Sequence, residues 1–276
     1  MSVRFRLPSH LCFAVAVFAL CMMAAFPGEA KQKPPEDRPM DFILVHTGDC
    51  SESCIQWISA EGEITSDSPK RLKALLKRLK GKKLPVVFQS YGGAVNGALA
   101  IGRLIRAAGL ETAVGRTTLN DCPMLDRRCT QKIVRNGWSE GEVTSAGSYC
   151  YSACPLAFAG GTVRAGAGIS LIGLHQVTNG RKSADYGTPG KRNLDAISTR
   201  SDVALKRKLS VYFTEMGIKP DEMFAMMGLA APDGMHFLSN IEAMKSGLIT
   251  KESNYSNEPG FVFYATDAQP TDAVAN

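Results

Sequence analysis

Residues 147–161 have the sequence Gly-Ser-Tyr-Cys-Tyr-Ser-Ala-Cys-Pro-Leu-Ala-Phe-Ala-Gly-Gly, and Ile-Ser-Leu-Ile-Gly-Leu-His-Gln follows at residues 169–176. Ser152 stands just before a small-residue apolar run that predicts a buried helix, and His175 ends an apolar strand. A serine hydroxyl needs a neighbouring imidazole to take its proton, so these two residues are a candidate nucleophile and base. Taken alone, they also fit a helix N-cap and a partly buried histidine.

The N-terminus has the pattern of a secretory signal peptide. Arg4 and Arg6 precede an uncharged run from Leu11 to Phe26, and small residues follow at Gly28 and Ala30. The alternative is a retained membrane anchor, although this run is shorter than the roughly 20 residues that a spanning helix needs. We therefore expect residues 1–30 to be a signal peptide or an anchor. The body of the protein would then be periplasmic or secreted, with no other contact with the membrane.

The remainder of the chain predicts one α/β domain. Residues 31–41 are polar and proline-rich and predict a tether, residues 42–252 the domain, and residues 253–276 a flexible tail. Apolar strands alternate with helical patterns up to residue 115, which favours parallel strand pairing. Residues 116–148 break this alternation and predict an insertion over the site.

The charge pattern argues against a nucleic-acid partner. The formal net charge is only +6, and much of the basic excess lies within residues 70–80, where apolar residues recur at helical spacing. These charges therefore predict the solvated face of an amphipathic helix. No aromatic stacking platform accompanies them.

The six cysteines outside the leader form three close pairs in the sequence: Cys50 with Cys54, Cys122 with Cys129, and Cys150 with Cys154. Beyond an oxidising membrane boundary, an even number of cysteines favours disulfides, although the pattern leaves their connectivity open. The chain has no Cys-x-x-Cys motif, and its histidines lack ligand spacing to the cysteines. We therefore expect neither a metal site nor any other cofactor.

A glycine pair in residues 89–102 is a candidate anion site. The sequence passes from a strand through Gly92 and Gly93 directly into a small-residue helix. Adjacent glycines let the backbone approach a ligand and turn its N–H groups outward. At a helix N-terminus such groups can form an oxyanion hole. The simpler alternative is a tight strand-to-helix turn.

Five motifs in series resemble the Clp protease proteolytic subunit. They are Ser90-Tyr-Gly-Gly-Ala-Val with Ala98-x-x-Ile-x-x-x-Ile105, Ser152-Ala-Cys, Phe158-Ala-Gly-Gly with Arg164, Gly173-Leu-His-Gln176, and Phe237-Leu-Ser-Asn-Ile-Glu-Ala-Met-Lys-Ser-Gly-Leu-Ile249. The resemblance spans roughly residues 55–249, and the chain also looks like the secreted bacterial branch of such proteins. This resemblance implies the ClpP/crotonase fold, which is a spiral of ββα units.

The resemblance also implies residue roles. Ser152 would be the nucleophile and His175 the general base, with an oxyanion hole formed by the N–H groups of Gly93 and Ala153. For the third catalytic position, Asp233 is the nearest acidic residue.

The family's spacing for that third residue does not match Asp233 cleanly. Ala231 lies nearer to it, and Asp221 is a reserve. Two further departures are the cysteines on both sides of Ser152 and Tyr91, which stands where the family usually has proline.

These observations favour a periplasmic serine hydrolase that acts on a peptide or protein substrate, without ATP. The family implies a homo-oligomer, but the interface residues cannot be matched. The alternative is a catalytically inactive fold of the same type that serves as a binding or assembly module, because one fold can host unrelated functions. An acyl-CoA enzyme of the crotonase type is disfavoured, since secretion would separate the chain from CoA thioesters.

Overall fold

A computed structural model describes residues 38–48, 50, 54–120, 137–166, 168–177 and 203–253. Within these residues the chain is an α/β protein with two sheets and six helices. The α/β class predicted from the sequence is therefore confirmed. The predicted leader, the first part of the tether and nearly all of the predicted tail lie outside the described residues.

The secondary-structure elements are short. The strands are β1 (Asp41–Thr47), β2 (Ile55–Glu61), β3 (Val86–Gln89), β4 (Thr112–Val114), β5 (Arg116–Leu119), β6 (Trp138–Thr144), β7 (Tyr149–Tyr151), β8 (Arg164–Gly166), β9 (Leu171–Leu174), β10 (His236–Phe237) and β11 (Lys251–Glu252). The helices are α1 (Ser68–Leu79), α2 (Val95–Ala108), α3 (Cys154–Phe158), α4 (Val203–Glu215), α5 (Pro220–Met227) and α6 (Asn240–Ser246).

The large sheet has the strand order β11-β8-β4-β3-β2-β1-β6-β5. Strands β2, β3, β4, β8 and β11 run parallel, whereas the β1–β2 and β5–β6 pairs are antiparallel. Helix α1 connects β2 to β3 and helix α2 connects β3 to β4, as expected for parallel neighbours. The small sheet has the order β10-β9-β7, in which β7 and β9 are parallel.

The main core lies between the large sheet and the helices. Helix α1 turns Leu72 and Leu75 inwards and leaves its lysines exposed, as its helical periodicity predicts. Fully buried aromatic side chains, among them Phe88, Phe158 and Phe213, fill the same core. A smaller cluster around Trp57 and Val143 covers the other face of the sheet.

The segment predicted as an insertion contributes two strands to this second cluster. Strands β5 and β6 form an antiparallel pair, and β6 continues the large sheet by pairing in parallel with β1. Leu119 and Val143 are buried because their side chains pack beside Trp57. The ends of this segment are therefore part of the domain, and residues 121–136 lie outside the described part.

The end of the predicted tether is also part of the fold. The Met40 side chain is fully buried in the main core, and its N–H donates to the carbonyl oxygen of Glu63. The N–H of Glu63 in turn donates to the carbonyl oxygen of Arg38. One buried apolar side chain and these backbone hydrogen bonds thus hold residues 38–41, although the polar composition of the tether does not indicate it.

Two arginines connect the end of helix α3 to the C-terminal helices. The guanidinium of Arg164, which is 3% exposed, donates to the carbonyl oxygens of Gly161, Gly247 and Leu248. Arg106 donates to the carbonyl oxygens of residues 159, 160, 161 and 216. Burial lowers the pKa of Arg164 to about 10. These backbone acceptors compensate for the cost of burying a cation.

Candidate active site

Ser152 lies on the tight turn between strand β7 and helix α3. Its φ angle is +58°, and apart from glycine only Lys80 shares a positive φ within the described ranges. This left-handed conformation costs a non-glycine residue free energy and persists only where surrounding contacts hold it. The Ser152 N–H donates to the carbonyl oxygen of Gly173 at 3.0 Å, which fixes the turn to strand β9.

A disulfide between Cys150 and Cys154 closes this turn. The two Cα atoms are 5.2 Å apart, and both side chains are fully buried beneath Ser152. A second disulfide joins Cys50 to Cys54, where Cys50 is exposed. Two of the three sequence-adjacent pairs are therefore disulfides, as expected for an oxidising compartment. Cys122 and Cys129 lie outside the described residues.

His175 follows strand β9 and reaches Ser152 because β9 and β7 are adjacent and parallel, with Tyr151 opposite Gly173. The His175 Nε2 atom is 2.7 Å from the Ser152 Oγ atom, and Nδ1 is 2.8 Å from the carbonyl oxygen of Gln176. A carbonyl oxygen can only accept a hydrogen bond, so in the neutral ring Nδ1 carries the proton. Nε2 is then the acceptor for the Ser152 hydroxyl.

The glycine pair lies directly against the serine turn. A Cβ atom on Gly92 would stand 2.7 Å from the backbone nitrogen of Ala153, and one on Gly93 would stand 2.2 Å from the carbonyl oxygen of Ile64. Both glycines also have positive φ angles, +102° and +129°. Only glycine fits either position, and the close approach brings the N-terminal ends of helices α2 and α3 together.

The two N–H groups suggested for an oxyanion hole have no partner inside the described part of the protein. Within the described residues, neither the N–H of Gly93 nor that of Ala153 donates a hydrogen bond. The N–H groups of their neighbours Ala94 and Ser152 do donate. The Gly92 N–H donates to the Ser90 hydroxyl, and the Ser152 N–H to Gly173. Two unbonded donors on neighbouring turns are the arrangement that stabilises a developing oxyanion.

Ser90 connects the two turns, a role that the sequence analysis missed. Its hydroxyl donates to the carbonyl oxygen of Gly62 and accepts from the N–H of Gly92. Its backbone accepts from the N–H of Tyr151 and donates to the carbonyl oxygen of Tyr149. Ser90 is 1% exposed, and its place at the start of the Ser90-Tyr-Gly-Gly motif was the available signal.

The structure does not bring Asp233 into hydrogen-bond contact with His175. Asp233 is exposed, and the His175 Nδ1 atom is bonded to the Gln176 carbonyl oxygen instead. The segment before Asp233 does lie beside the base, since the Gln176 N–H donates to the carbonyl oxygen of Ala230. Asp221, the reserve, is exposed in the first turn of helix α5. An orienting role for Asp233 stays a prediction.

No helix among the described elements is long and apolar enough to cross a membrane.

Comparisons with known proteins give structural likenesses but no match to a family or to a curated protein. No protein-family model and no curated protein matches the chain. Among solved structures, the chain is similar to a mutant of ClpP1 from Listeria monocytogenes, with 14% sequence identity and a TM-score of 0.37, over 68% of this chain and 85% of that one. A TM-score below 0.5 does not establish a common fold.

Proposed function

We propose that this protein is a serine hydrolase, best described as a peptidase, in which Ser152 is the nucleophile and His175 the general base. The observation that carries the proposal is the 2.7 Å contact between the His175 Nε2 atom and the Ser152 Oγ atom. It occurs at a serine held in a left-handed conformation by a disulfide and by the neighbouring strand. Strained backbone at a serine next to a histidine is typical of an activated nucleophile.

The hydrogen bonds around His175 give the direction of proton transfer. The Gln176 carbonyl oxygen accepts from Nδ1–H and holds the neutral ring with Nε2 towards Ser152. When Ser152 Oγ bonds to the substrate carbonyl carbon, its proton passes to Nε2. The imidazolium then gives this proton to the leaving group as the bond to that group breaks, leaving an acyl-enzyme on Ser152. Water deacylates the enzyme by the same route in reverse.

The oxyanion of each tetrahedral intermediate would be stabilised by the N–H groups of Gly93 and Ala153. Support comes from the contact of the Gly92 backbone with Ala153, which places the two donors on adjoining turns. Both donors are fixed before substrate arrives, one by the β3–α2 turn and the other by the Cys150–Cys154 disulfide. Preorganised donors of this kind are worth about 10²–10³ each in rate.

The wider setting is proposed as well. The order of the motifs supports a spiral fold of the ClpP/crotonase type, and the two disulfides support a periplasmic site of action. No step needs ATP or another cofactor, because the nucleophile, base and oxyanion donors all belong to the chain. A homo-oligomer remains part of this proposal, through the resemblance alone.

The test is covalent labelling of the oxidised protein with a fluorophosphonate probe, read by mass spectrometry as well as fluorescence. Labelling at Ser152 is expected in the wild type and should disappear in Ser152→Ala. In His175→Ala the labelling rate should fall at least about 10³-fold, since the general base is lost. His46→Ala is the matched control, because His46 lies on strand β1, where its ring bonds the Gly48 carbonyl oxygen and meets Trp138 edge-on.

The outcomes separate the candidate functions. A folded wild type that is not labelled would overturn the proposal and favour a catalytically inactive binding or assembly module. Labelling that persists in Ser152→Ala would show that another residue reacts with the probe. Labelling lost in His46→Ala would mean that the assay reports folding and not the base.

A further inference from the structure

The outer face of the small sheet, next to Ser152, carries a row of aromatic side chains. Tyr149 and Tyr151 alternate with the buried Cys150 on strand β7, so both rings lie on the same face, and their centroids are 5.1 Å apart. Phe237 on strand β10 meets Tyr151 edge-on at 5.5 Å. Tyr91 covers Tyr149 at 4.3 Å. We call these four residues the aromatic row.

Gly173 allows the row to close. Strand β9 lies between β7 and β10, and Gly173 is paired with both Tyr151 and Phe237. A Cβ atom on Gly173 would stand 2.9 Å from a ring carbon of Tyr151 and 2.6 Å from the Met235 sulfur. The absence of a side chain therefore lets the rings of Tyr151 and Phe237 meet across the middle strand.

The aromatic row remains open to solvent at both ends. Tyr91 is 51% exposed and Phe237 is 52% exposed, and Leu171 on the same sheet face is 41% exposed. A tyrosine hydroxyl is uncharged at neutral pH, and burial, with secondly the neighbouring Tyr91, raises the pKa of Tyr151 further above that range. A half-exposed cluster of uncharged aromatic rings is a surface that can bind another apolar group.

The row is continuous in the chain with both turns of the candidate active site. Tyr151 directly precedes Ser152, and Tyr91 directly precedes Gly92. The backbones of these turns touch, and Ser90 bonds residues of both. A substrate with its carbonyl at Ser152 and its oxygen at the two free N–H groups therefore has the row within reach of its neighbouring residues.

We propose that the aromatic row is a specificity subsite that binds a large apolar side chain, preferably an aromatic one, of a peptide whose bond Ser152 attacks. This inference rests on the proposed peptidase function and adds the substrate class. Aromatic rings pair offset or edge-on at these distances, which a substrate Phe, Tyr or Trp can continue at the open edge of Tyr91 or Phe237. Small or charged substrate side chains would gain little binding free energy at the aromatic row.

The size of the exposed surface favours a side chain over a second copy of the protein. Two half-exposed aromatic side chains and one leucine offer on the order of 300 Å², since a complete aromatic side chain buries about 150–250 Å². A stable dimer interface needs about 800 Å² from each partner. The row alone falls well short of that, whereas one or two apolar side chains fit it.

The experiment is cleavage of a proteome-derived peptide library by the oxidised wild type, with cleavage sites mapped by mass spectrometry. We expect Phe, Tyr, Trp or Leu to be enriched about 3- to 10-fold at one fixed position near the cleaved bond. Tyr91→Ala and Phe237→Ala, each tested singly, should reduce this enrichment while labelling of Ser152 by a small alkyl fluorophosphonate stays within about 3-fold. Phe237→Leu should retain part of it. Val211→Ala removes a similarly exposed apolar side chain from helix α4 and is the control.

Each result decides one question. A labelled enzyme whose cleavage shows no such enrichment, or keeps it in both alanine variants, overturns the subsite. A labelled enzyme that cleaves no peptide overturns the substrate class but leaves the nucleophile in place. An unlabelled wild type removes the proposed function itself. If Tyr91→Ala dissociates an oligomer in light scattering without changing the cleavage pattern, the row is an interface between copies and the inference is wrong.

Discussion

A Cβ atom placed on Gly92 would lie 2.8 Å from the Cβ atom of Ser152. The Gly92→Ala substitution must therefore push the serine turn away from the glycine turn. The added Cβ atom would also lie 2.7 Å from the backbone nitrogen of Ala153, a proposed oxyanion donor. Because a misplacement of about 1 Å can cost 10²-fold in rate, we expect fluorophosphonate labelling to fall by at least about that factor.

Gly81→Ala provides the matched control for this variant. Gly81 has a similar positive φ angle, +89°, but nothing lies within 4 Å of its missing Cβ. The Gly81→Ala variant therefore has the backbone strain of an alanine at positive φ, on the order of 1–2 kcal/mol, but no steric clash of the added Cβ atom. Equal loss of labelling in both variants would attribute the effect to strain and contradict the proposed contact between the turns.

The Cys150–Cys154 disulfide is expected to support activity, whereas Cys50–Cys54 is not. Replacing Cys150 and Cys154 together by alanine leaves Ser152 in its left-handed conformation without the covalent closure of its turn. We expect the labelling rate to drop at least about 10-fold. The pair Cys50→Ala with Cys54→Ala, made in the same way, should label at the wild-type rate. Normal labelling without the 150–154 bridge would show that hydrogen bonds alone hold the turn.

Asp233→Asn distinguishes two ways of orienting His175. If the Gln176 carbonyl oxygen is the partner of Nδ1 in the working enzyme, this exposed aspartate can lose its charge with less than about a 3-fold change in labelling rate. In well-studied triads, by contrast, removing the acid that orients the histidine costs about 10⁴. A loss approaching that size would mean that Asp233 moves to His175 when substrate binds, and would restore the sequence-based assignment.

Glu61 should make the stability of the protein depend on pH. Burial raises its pKa from 4.5 to about 7, although its carboxylate accepts the Thr117 N–H at 2.7 Å. Between these values the folded protein holds a proton that the unfolded chain has lost, so the free energy of unfolding falls as pH rises from about 4.5 to about 7 and is level above. The loss amounts to at most about 3 kcal/mol.

Urea unfolding at several pH values checks this expectation. Glu61→Gln keeps the acceptor for Thr117 but has no charge, so it should be more stable than the wild type at pH 8 and differ little at pH 4. Glu63→Gln, at an exposed position on the same turn, controls for a general change in net charge. A stability difference between Glu61→Gln and the wild type that does not vary with pH would contradict the charge of this partly buried carboxylate as its cause.

Sequence patterns predicted several of the elements that carry the site, although strand β7, which leads into Ser152, was not predicted. Strict helical periodicity located α1, and the glycine pair located the start of α2, because both signals depend on local geometry. The pairing of Ser152 with His175 could be anticipated from strand and helix ends, since adjacent parallel strands bring their carboxyl ends together. The left-handed conformation of Ser152 could not, because tertiary contacts with Gly92 and Gly173 hold it.

Other features depend on contacts that composition hides. Met40 lies in a polar stretch, and only its burial in the core and the backbone hydrogen bonds with Glu63 show that residues 38–41 belong to the fold. Strands β5 and β6 were missed because both consist mainly of polar residues and glycine, and the burial of Leu119 and Val143 against Trp57 was not visible in the sequence. The His175 Nδ1 atom bonds the backbone carbonyl oxygen of Gln176, and a pattern of side chains does not predict a bond to the backbone.

The buried guanidinium of Arg164 depends on hydrogen-bond acceptors that are synthesised long after it. Two of its acceptors, the carbonyl oxygens of Gly247 and Leu248, come from the last part of the domain to leave the ribosome. Until these two residues have been synthesised, the Arg164 guanidinium lacks two of its three carbonyl acceptors. A buried cation without hydrogen-bond acceptors is costly in a core. The chain therefore contains its proposed nucleophile before the residues that complete the surroundings of helix α3 have been synthesised.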